Sequence, residues 1–365
     1  TSIPITPSVG HMKHSKVRRV LALAGAGILT VALSACGGST GSTDSAASSD
    51  SGAKTLNVVG AFSSSIEEPW DGVVHAALEE AQKAGEITYK MVDKIGYASG
   101  AMERTLRQIC EEDKPDIIFG DSYGNEEAAR AVAKDYPNIA FVMGSGGGPS
   151  GANFSVFDNW IHEPAYVSGM LAGGLTKSNV IGIVAGYPVP EVNRIVNAFI
   201  AGAQAQNPKI QVKTTFISSW FDPAAAKDAA LAQVSAGADI LFAERSGVIE
   251  AAQSKGLLSF GNQMDQKSIA PDSVVTSNVW NMKPTVDYVI AQVKAKSYTS
   301  QDLKDFSMVG KGGAILTDVN TGVKGGVPQA LIDSAMKKYE DIKSGAFRVD
   351  ISEGQPAGST VKPAK

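Results

Sequence analysis

The sequence predicts an α/β protein made of two doubly wound parallel-sheet units. From Thr55 onward, short and continuously apolar runs alternate with stretches of helical periodicity. Such runs suit strands of a parallel sheet covered on both faces, which cannot alternate apolar with polar as a half-exposed strand does. The alternation also occurs twice in succession, over a length that suits two domains of ~100–200 residues each.

In the first unit, residues 56–61 read as a strand, 72–84 as a helix, 87–92 as a strand and 101–112 as a helix. The helix over 101–112 carries Met102, Leu106, Ile109 and Cys110 on one stripe. That spacing makes Cys110 a core residue of an amphipathic helix and not a reactive thiol. A strand over 116–120, a helix over 126–136 and a strand over 139–143 complete the series, and 144–162 reads as a link. The second unit runs helix 164–176, strand 180–185, helix 191–206, strand 210–217, helix 223–236, strand 239–243, helix 248–255 and strand 257–261. A strand over 274–279, a helix over 284–296 and a strand over 314–318 remain. They are expected to return to the first sheet and then to the second. The last helix, 328–344, is amphipathic through Leu331, Ile332, Ala335 and Tyr339.

The N-terminal segment carries its own signal. Lys13, Lys16, Arg18 and Arg19 precede an apolar run over 20–33. A bilayer span needs ~20 apolar residues, whereas the run fits the apolar region of a secretory signal peptide. It ends in Leu33-Ser34-Ala35-Cys36, which resembles the lipobox of bacterial lipoproteins. Cys36 is therefore the expected lipidation site and membrane anchor. Residues 1–11 read as an upstream extension. Residues 37–53 are nearly all Gly, Ser, Thr, Ala and Asp, a composition that builds no core and suits a flexible tether. The domain expectation is a leader over 1–35, a tether over 36–53, and a first lobe over 54–160 completed by about 276–312. The second lobe covers 161–275 and is completed by about 313–365.

The net charge of -4 has no basic block behind it once the leader is passed, so no nucleic-acid partner is expected. His75 and His162 are the only histidines beyond the leader, and no H-x-x-x-H or C-x-x-C spacing occurs. No metal, cofactor or catalytic residue is expected. Gly146, Gly148 and Gly151 match G-x-G-x-x-G, but Asn153-Phe154-Ser155-Val156 follows, which opens no helix. A dinucleotide site needs that helix N-terminus, so the match is rejected. There is also no phosphate-binding G-x-x-x-x-G-K-[ST], so the chain is not expected to be an ATPase.

Open parallel sheets bind ligands beyond the C-terminal ends of their strands. The loops to inspect are 62–71, 121–125, 157–162, 187–193, 218–222, 244–247, 262–266 and 278–283. All four tryptophans, Trp70, Trp160, Trp220 and Trp280, fall in these loops, with Phe157, Tyr187 and Phe221. Aromatic faces lining a cleft would stack a flat ring, although sugars use such faces too. The same loops carry Asp121, Ser122, Asp158, Glu191, Asn193, Asp222, Glu244, Ser246 and Asp265 as hydrogen-bonding groups. The competing role for each is an N-cap, which suits Asp222 before Pro223 best.

With these residues in view, the sequence resembles the basic membrane protein family of substrate-binding lipoproteins, which includes purine nucleoside receptors. The likeness spans about residues 56–351. It is carried by Tyr166-Val167-Ser168-Gly169-Met170-Leu171-Ala172-Gly173, by Ser219-Trp220-Phe221-Asp222-Pro223 and by Gly261-Asn262-Gln263-Met264-Asp265. It implies a type I periplasmic-binding fold with crossovers between hinged lobes, a small-molecule ligand, an ABC permease as partner, and a monomer outside the cytoplasm. Matched by motif, the base would stack on Trp70 and on Trp220 or Phe221. Asp265 would supply the acid, and Ser246-Gly247 a backbone contact. The family's Ser-Phe-Asn is here Pro69-Trp70-Asp71, and Trp280 stands where the family has a lysine directed at ribose. A free purine base is therefore expected ahead of a nucleoside. Alternatives are a sugar or a signalling molecule on the same fold, or a surface nucleoside hydrolase.

Overall fold

The computed structural model describes residues 54–364. The leader, Cys36 and the tether lie outside the described residues.

The first lobe opens with β1 (Leu56–Ala61), α1 (Pro69–Lys83), β2 (Ile87–Val92), α2 (Ala101–Gln108), β3 (Ile117–Asp121), α3 (Glu126–Asp135), β4 (Ala140–Gly144) and β5 (Phe154–Phe157). Its sheet is wholly parallel, in the order β2-β1-β3-β4-β5. Every residue of β3, β4 and β5 is buried, as strands covered on both faces require. The chain then crosses to the second lobe with α4 (His162–Leu175), β6 (Val180–Ala185), α5 (Pro190–Gln206), β7 (Gln211–Phe216), α6 (Pro223–Ser235), β8 (Ile240–Ala243), α7 (Val248–Ser254), β9 (Leu258–Gln263) and β10 (Val274–Trp280).

After β10 come α8 (Lys283–Lys294), β11 (Ala314–Leu316), α9 (Gln329–Ser344) and β12 (Thr360–Val361). The second sheet has the order β11-β10-β9-β8-β6-β7-β12 and is parallel except where β10 meets β11. The strand over 274–279 therefore does not return to the first sheet. It pairs in parallel with β9, Asn278 opposite Asn262. There the Thr276 hydroxyl donates to the Thr317 carbonyl at 2.7 Å.

The return to the first lobe comes later. Helix α8 packs on α1. Residues 301–303 then lie along β5, where the Val156 amide donates to the Gln301 carbonyl at 3.1 Å and the Leu303 amide donates to the Val156 carbonyl at 2.8 Å. Strand β5 itself falls in the stretch expected to be only a link. Helix α2 is also shorter than the periodicity suggests, because residues 109–113 continue it as a π-helical turn.

Each sheet is covered on both faces. Val59, Ile118 and Phe141 meet α2 and α3 through Met102, Leu106 and Val132. Val184 and Leu241 meet α6 and α7 through Ala229 and Ile249. The remaining faces join one core that runs from Val58 and Phe119 through Trp70, Phe157 and Trp280 to Phe199 and Phe242. Among the described residues no helix is long and apolar enough to cross a membrane.

Candidate ligand cleft

The C-terminal ends of the strands of both lobes face one cavity of about 490 Å³, within the usual ligand-pocket range of ~300–1,000 Å³. Helix α1 builds one wall. Pro69 sits in its first turn, and Glu68 is its cap, with Oε2 accepting from the amides of Trp70 at 2.9 Å and Asp71 at 3.1 Å. This fixes Trp70 in the first turn, facing the cavity. Its ring stacks on Phe157 with centroids 5.6 Å apart and leans on Trp280 at 4.9 Å. The indole Nε1 donates to Asp158 at 3.4 Å.

The opposite wall is aromatic as well. Trp220, in the loop after β7, meets Tyr123 of the first lobe edge-on at 5.0 Å and Tyr187 at 4.8 Å. The Arg194 guanidinium carbon lies over the Trp160 ring, 3.8 Å from its centroid, a cation–π contact.

Among the carboxyl groups that line the cavity are Asp121 and Glu191, one from each lobe. Asp121 ends β3, and its Oδ1 accepts from the Tyr123 amide at 2.9 Å. Burial pushes its pKa up to about 7 against the pull of that amide, with the nearby charges of Glu68 and Asp158 adding to the rise. Glu191, in the first turn of α5, accepts from the Asn159 amide group. Burial lifts its pKa to about 8, reinforced by Asp158 and Glu244 and opposed by Arg194. Near neutral pH both groups can therefore donate as well as accept hydrogen bonds.

Two buried arginines span the lobes. Arg245 Nη1 donates to Glu68 Oε1 at 3.0 Å and to the Trp220 carbonyl at 2.9 Å, while Nη2 reaches Glu244 at 2.8 Å. Arg194 pairs with Asp158 at 3.0 Å and Glu353 at 3.2 Å.

Trp70, Asp121, Trp160 and Trp220 all line the cavity. Phe157, Asp158 and Glu191 line it too, whereas Ser122, Phe221, Ser246, Gly247, Asp265 and Trp280 lie off it. Ser122 is fully buried and donates to the Gly144 carbonyl at 2.7 Å. Phe221 turns outward and is 39% exposed. Gly247, at a φ of 105°, caps α7 beside half-buried Ser246. Asp265 is exposed and closes a local turn onto the Lys267 amide at 3.0 Å. Trp280 is buried behind Trp70, with its Nε1 on Ser307 at 3.2 Å. It backs the stacking ring instead of facing the cavity. Asp222, whose sequence context suits an N-cap, does cap α6, accepting from the Ala225 amide at 2.9 Å.

Sequence reasoning passed over Glu68, Tyr123, Arg194 and Arg245. For Glu68 a signal existed, because a proline in the first turn of a helix makes the preceding residue its cap. The arginines gave none, since their role depends on groups in the facing lobe.

The family of PnrA-like ABC transporter substrate-binding proteins matches residues 55–344. The chain belongs to this Bmp family. The family is one of binding proteins and not of enzymes. A purine-binding protein of Brucella abortus is 33% identical over 60% of this chain and 63% of its own length. A Haloferax volcanii protein, provisionally named for ABC-transporter glucose binding, is also 33% identical, over 49% of this chain and 46% of its own. The chain thus spans less than two thirds of the length of either relative. Among solved structures, a solute-binding protein of an ABC transporter system from Conexibacter woesei superposes with a TM-score of 0.65 at 20% identity, covering 81% of this chain and 99% of that one. At that identity the likeness speaks for the fold alone.

Proposed function

We propose that this Bmp-family chain is the extracytoplasmic, lipid-anchored solute-binding component of an ABC importer. It captures a purine-type ligand, a base ahead of a nucleoside, as its lobes close about the crossovers, and delivers it to the permease. The observation that carries this reading is the pairing of Trp70 and Trp220, aromatic faces lining one cavity from opposite lobes, with the carboxyl groups of Asp121 and Glu191. The rings would sandwich a flat heterocycle, and the carboxyls would accept its N–H groups or donate to its ring nitrogens. The purine-binding relative supports the same reading. Trp280 stands where the family has a lysine directed at ribose and packs behind Trp70, so that position offers the cavity no cation, which favours a base over a base carrying ribose.

One observation favours a sugar instead. Glu68, Asp121, Glu126, Asp158, Glu191, Asp302 and Glu353 all border the cavity, and carboxylates are good acceptors for hydroxyls. The glucose-named relative points the same way.

Titration calorimetry against adenine, guanine, hypoxanthine, their ribonucleosides and glucose decides among them. Binding of a base tighter than its nucleoside supports the proposal. Binding of glucose with no purine response overturns it, and a nucleoside-only response overturns the preference for a base.

A further inference from the structure

Glu68 has two jobs on two oxygens. Its Oε2 caps α1 and so sets where Trp70 stands. Its Oε1 takes a hydrogen bond from Arg245, which belongs to the other lobe. Each half of this pair is assembled within its own lobe. Glu68 is held by the α1 amides. Arg245 is held by both oxygens of Glu244, at 2.8 and 2.9 Å, and Glu244 is in turn held by the Gly186 amide at 3.0 Å. The two side chains are each only 4% exposed where they meet. The Arg194–Asp158 pair lies beside the first crossover, since Asp158 directly follows β5. Glu68 and Arg245 have no such chain link nearby, so only the facing of the lobes brings them together.

We propose that the Glu68–Arg245 ion pair is a latch between the lobes and that Glu68 is a positioning residue for the stacking face of Trp70. The proposal rests on reading the cleft as the ligand site. Two preassembled charges that meet only on closure give a directional contact with little ordering left to do. When the lobes part, both return to water and are not left buried and unpaired. Because one carboxylate holds both the latch and the α1 cap, lobe closure and the placement of the Trp70 ring are set together.

Hydrogen-exchange mass spectrometry on the full chain, with no ligand added, tests the latch. The variants are Glu68→Gln, which keeps a cap acceptor and removes the charge, Arg245→Met, Arg245→Lys and the double variant. Losing one partner of a buried charged hydrogen bond should raise exchange by roughly 30-fold. The decisive readings cross the cleft. Glu68→Gln should loosen 243–247 in the second lobe, and Arg245→Met should loosen 65–75 in the first. Arg245→Lys should restore much of the protection, and the double variant should exchange no faster than the faster single one. If Glu68→Gln loosens only 65–75, Glu68 is merely a helix cap and the latch is wrong. If Arg245→Met proves unfolded, the Glu68→Gln reading across the cleft still decides. Adding hypoxanthine or guanine then separates the two claims. Cross-cleft loosening without purine protection leaves the latch standing and removes the purine reading. Purine protection without cross-cleft loosening does the reverse.

Discussion

Gly144 ends β4 directly beneath the Trp70 ring, and Gly144→Ala is the sharpest test of how that ring is held. A Cβ placed there would lie 1.9 Å from Cη2, 2.6 Å from Cζ2 and 3.0 Å from Cζ3 of Trp70. The ring cannot slide back, because Phe157 stacks on it and Trp280 leans against it. Its indole nitrogen is tethered to Asp158. The way out is into the cavity. Overpacking of this kind costs about 1–3 kcal/mol, which lowers the Tm by up to roughly 12 °C at the ~2–4 °C per kcal/mol of domains of about 150–250 residues. The displaced ring should also weaken ligand binding by about tenfold or more, equivalent to ~1.4 kcal/mol. Differential scanning calorimetry and ligand titration on Gly144→Ala read both effects. Gly354→Ala, where a Cβ meets nothing within 4 Å, is the control. All three clashing atoms belong to the six-membered ring of the indole, so Trp70→Phe should make Gly144→Ala much cheaper. A Gly144→Ala protein with wild-type Tm and affinity, or equal costs in the two backgrounds, would refute this account of how Trp70 is braced.

Burial lowers the pKa of His162 from 6.5 to about 4, with the Arg194 charge adding to the fall. The unfolded chain therefore takes up that proton first, and stability drops as pH falls from about 6.5 to about 4. At ~1.36 kcal/mol per pH unit the loss reaches roughly 3 kcal/mol. Asp121 and Glu191 titrate in the opposite sense, so the measure is the difference in urea midpoint between wild type and His162→Gln across pH 7.5 to 4.5. A difference that does not change with pH would contradict the burial argument. Gly247→Ala should cost about 1–3 kcal/mol, because φ is 105° and a Cβ would lie 2.1 Å from the Pro223 carbonyl oxygen. An unchanged denaturation midpoint would count against it. Trp220→Ala should weaken ligand binding by about tenfold or more while leaving the Tm nearly unchanged, because the loop ring is only partly buried; equal affinity would remove Trp220 from the site. Cys36→Ser should abolish palmitate labelling and free the protein from the membrane fraction, and persistent labelling would exclude Cys36 as the anchor.

The alternation of strand and helix was legible because buried parallel strands are apolar without a break, as over 117–120, and helix stripes such as Met102-Leu106-Ile109 repeat at helical spacing. Strand β5 was not. Ser155 interrupts its apolar run, and the hydroxyl is satisfied by Tyr298 at 2.7 Å and the Gln301 amide at 3.1 Å, partners far along the chain. Strand β10 shows a different limit. Its pattern reports that it is buried, not which sheet buries it. In the cleft, the tryptophans stood out by falling at strand ends. Trp280 looks the same in sequence as Trp70, and only the packing sets one behind the other. The arginines take their meaning from the acids they meet, and Glu68 lies 177 positions from Arg245.

The repeated crossing of the chain has a consequence for biosynthesis. The edge of the first sheet is sealed only when residues 301–303 settle on Val156. The second sheet waits for β12, at Thr360–Val361, to pair with β7. A growing chain thus holds its first sheet unfinished until residues 301–303 have emerged, and its second until β12 has. Neither lobe can be cut out as a contiguous fragment with its edge intact, and a C-terminal truncation of a few dozen residues would leave open strand edges ready to pair with another chain.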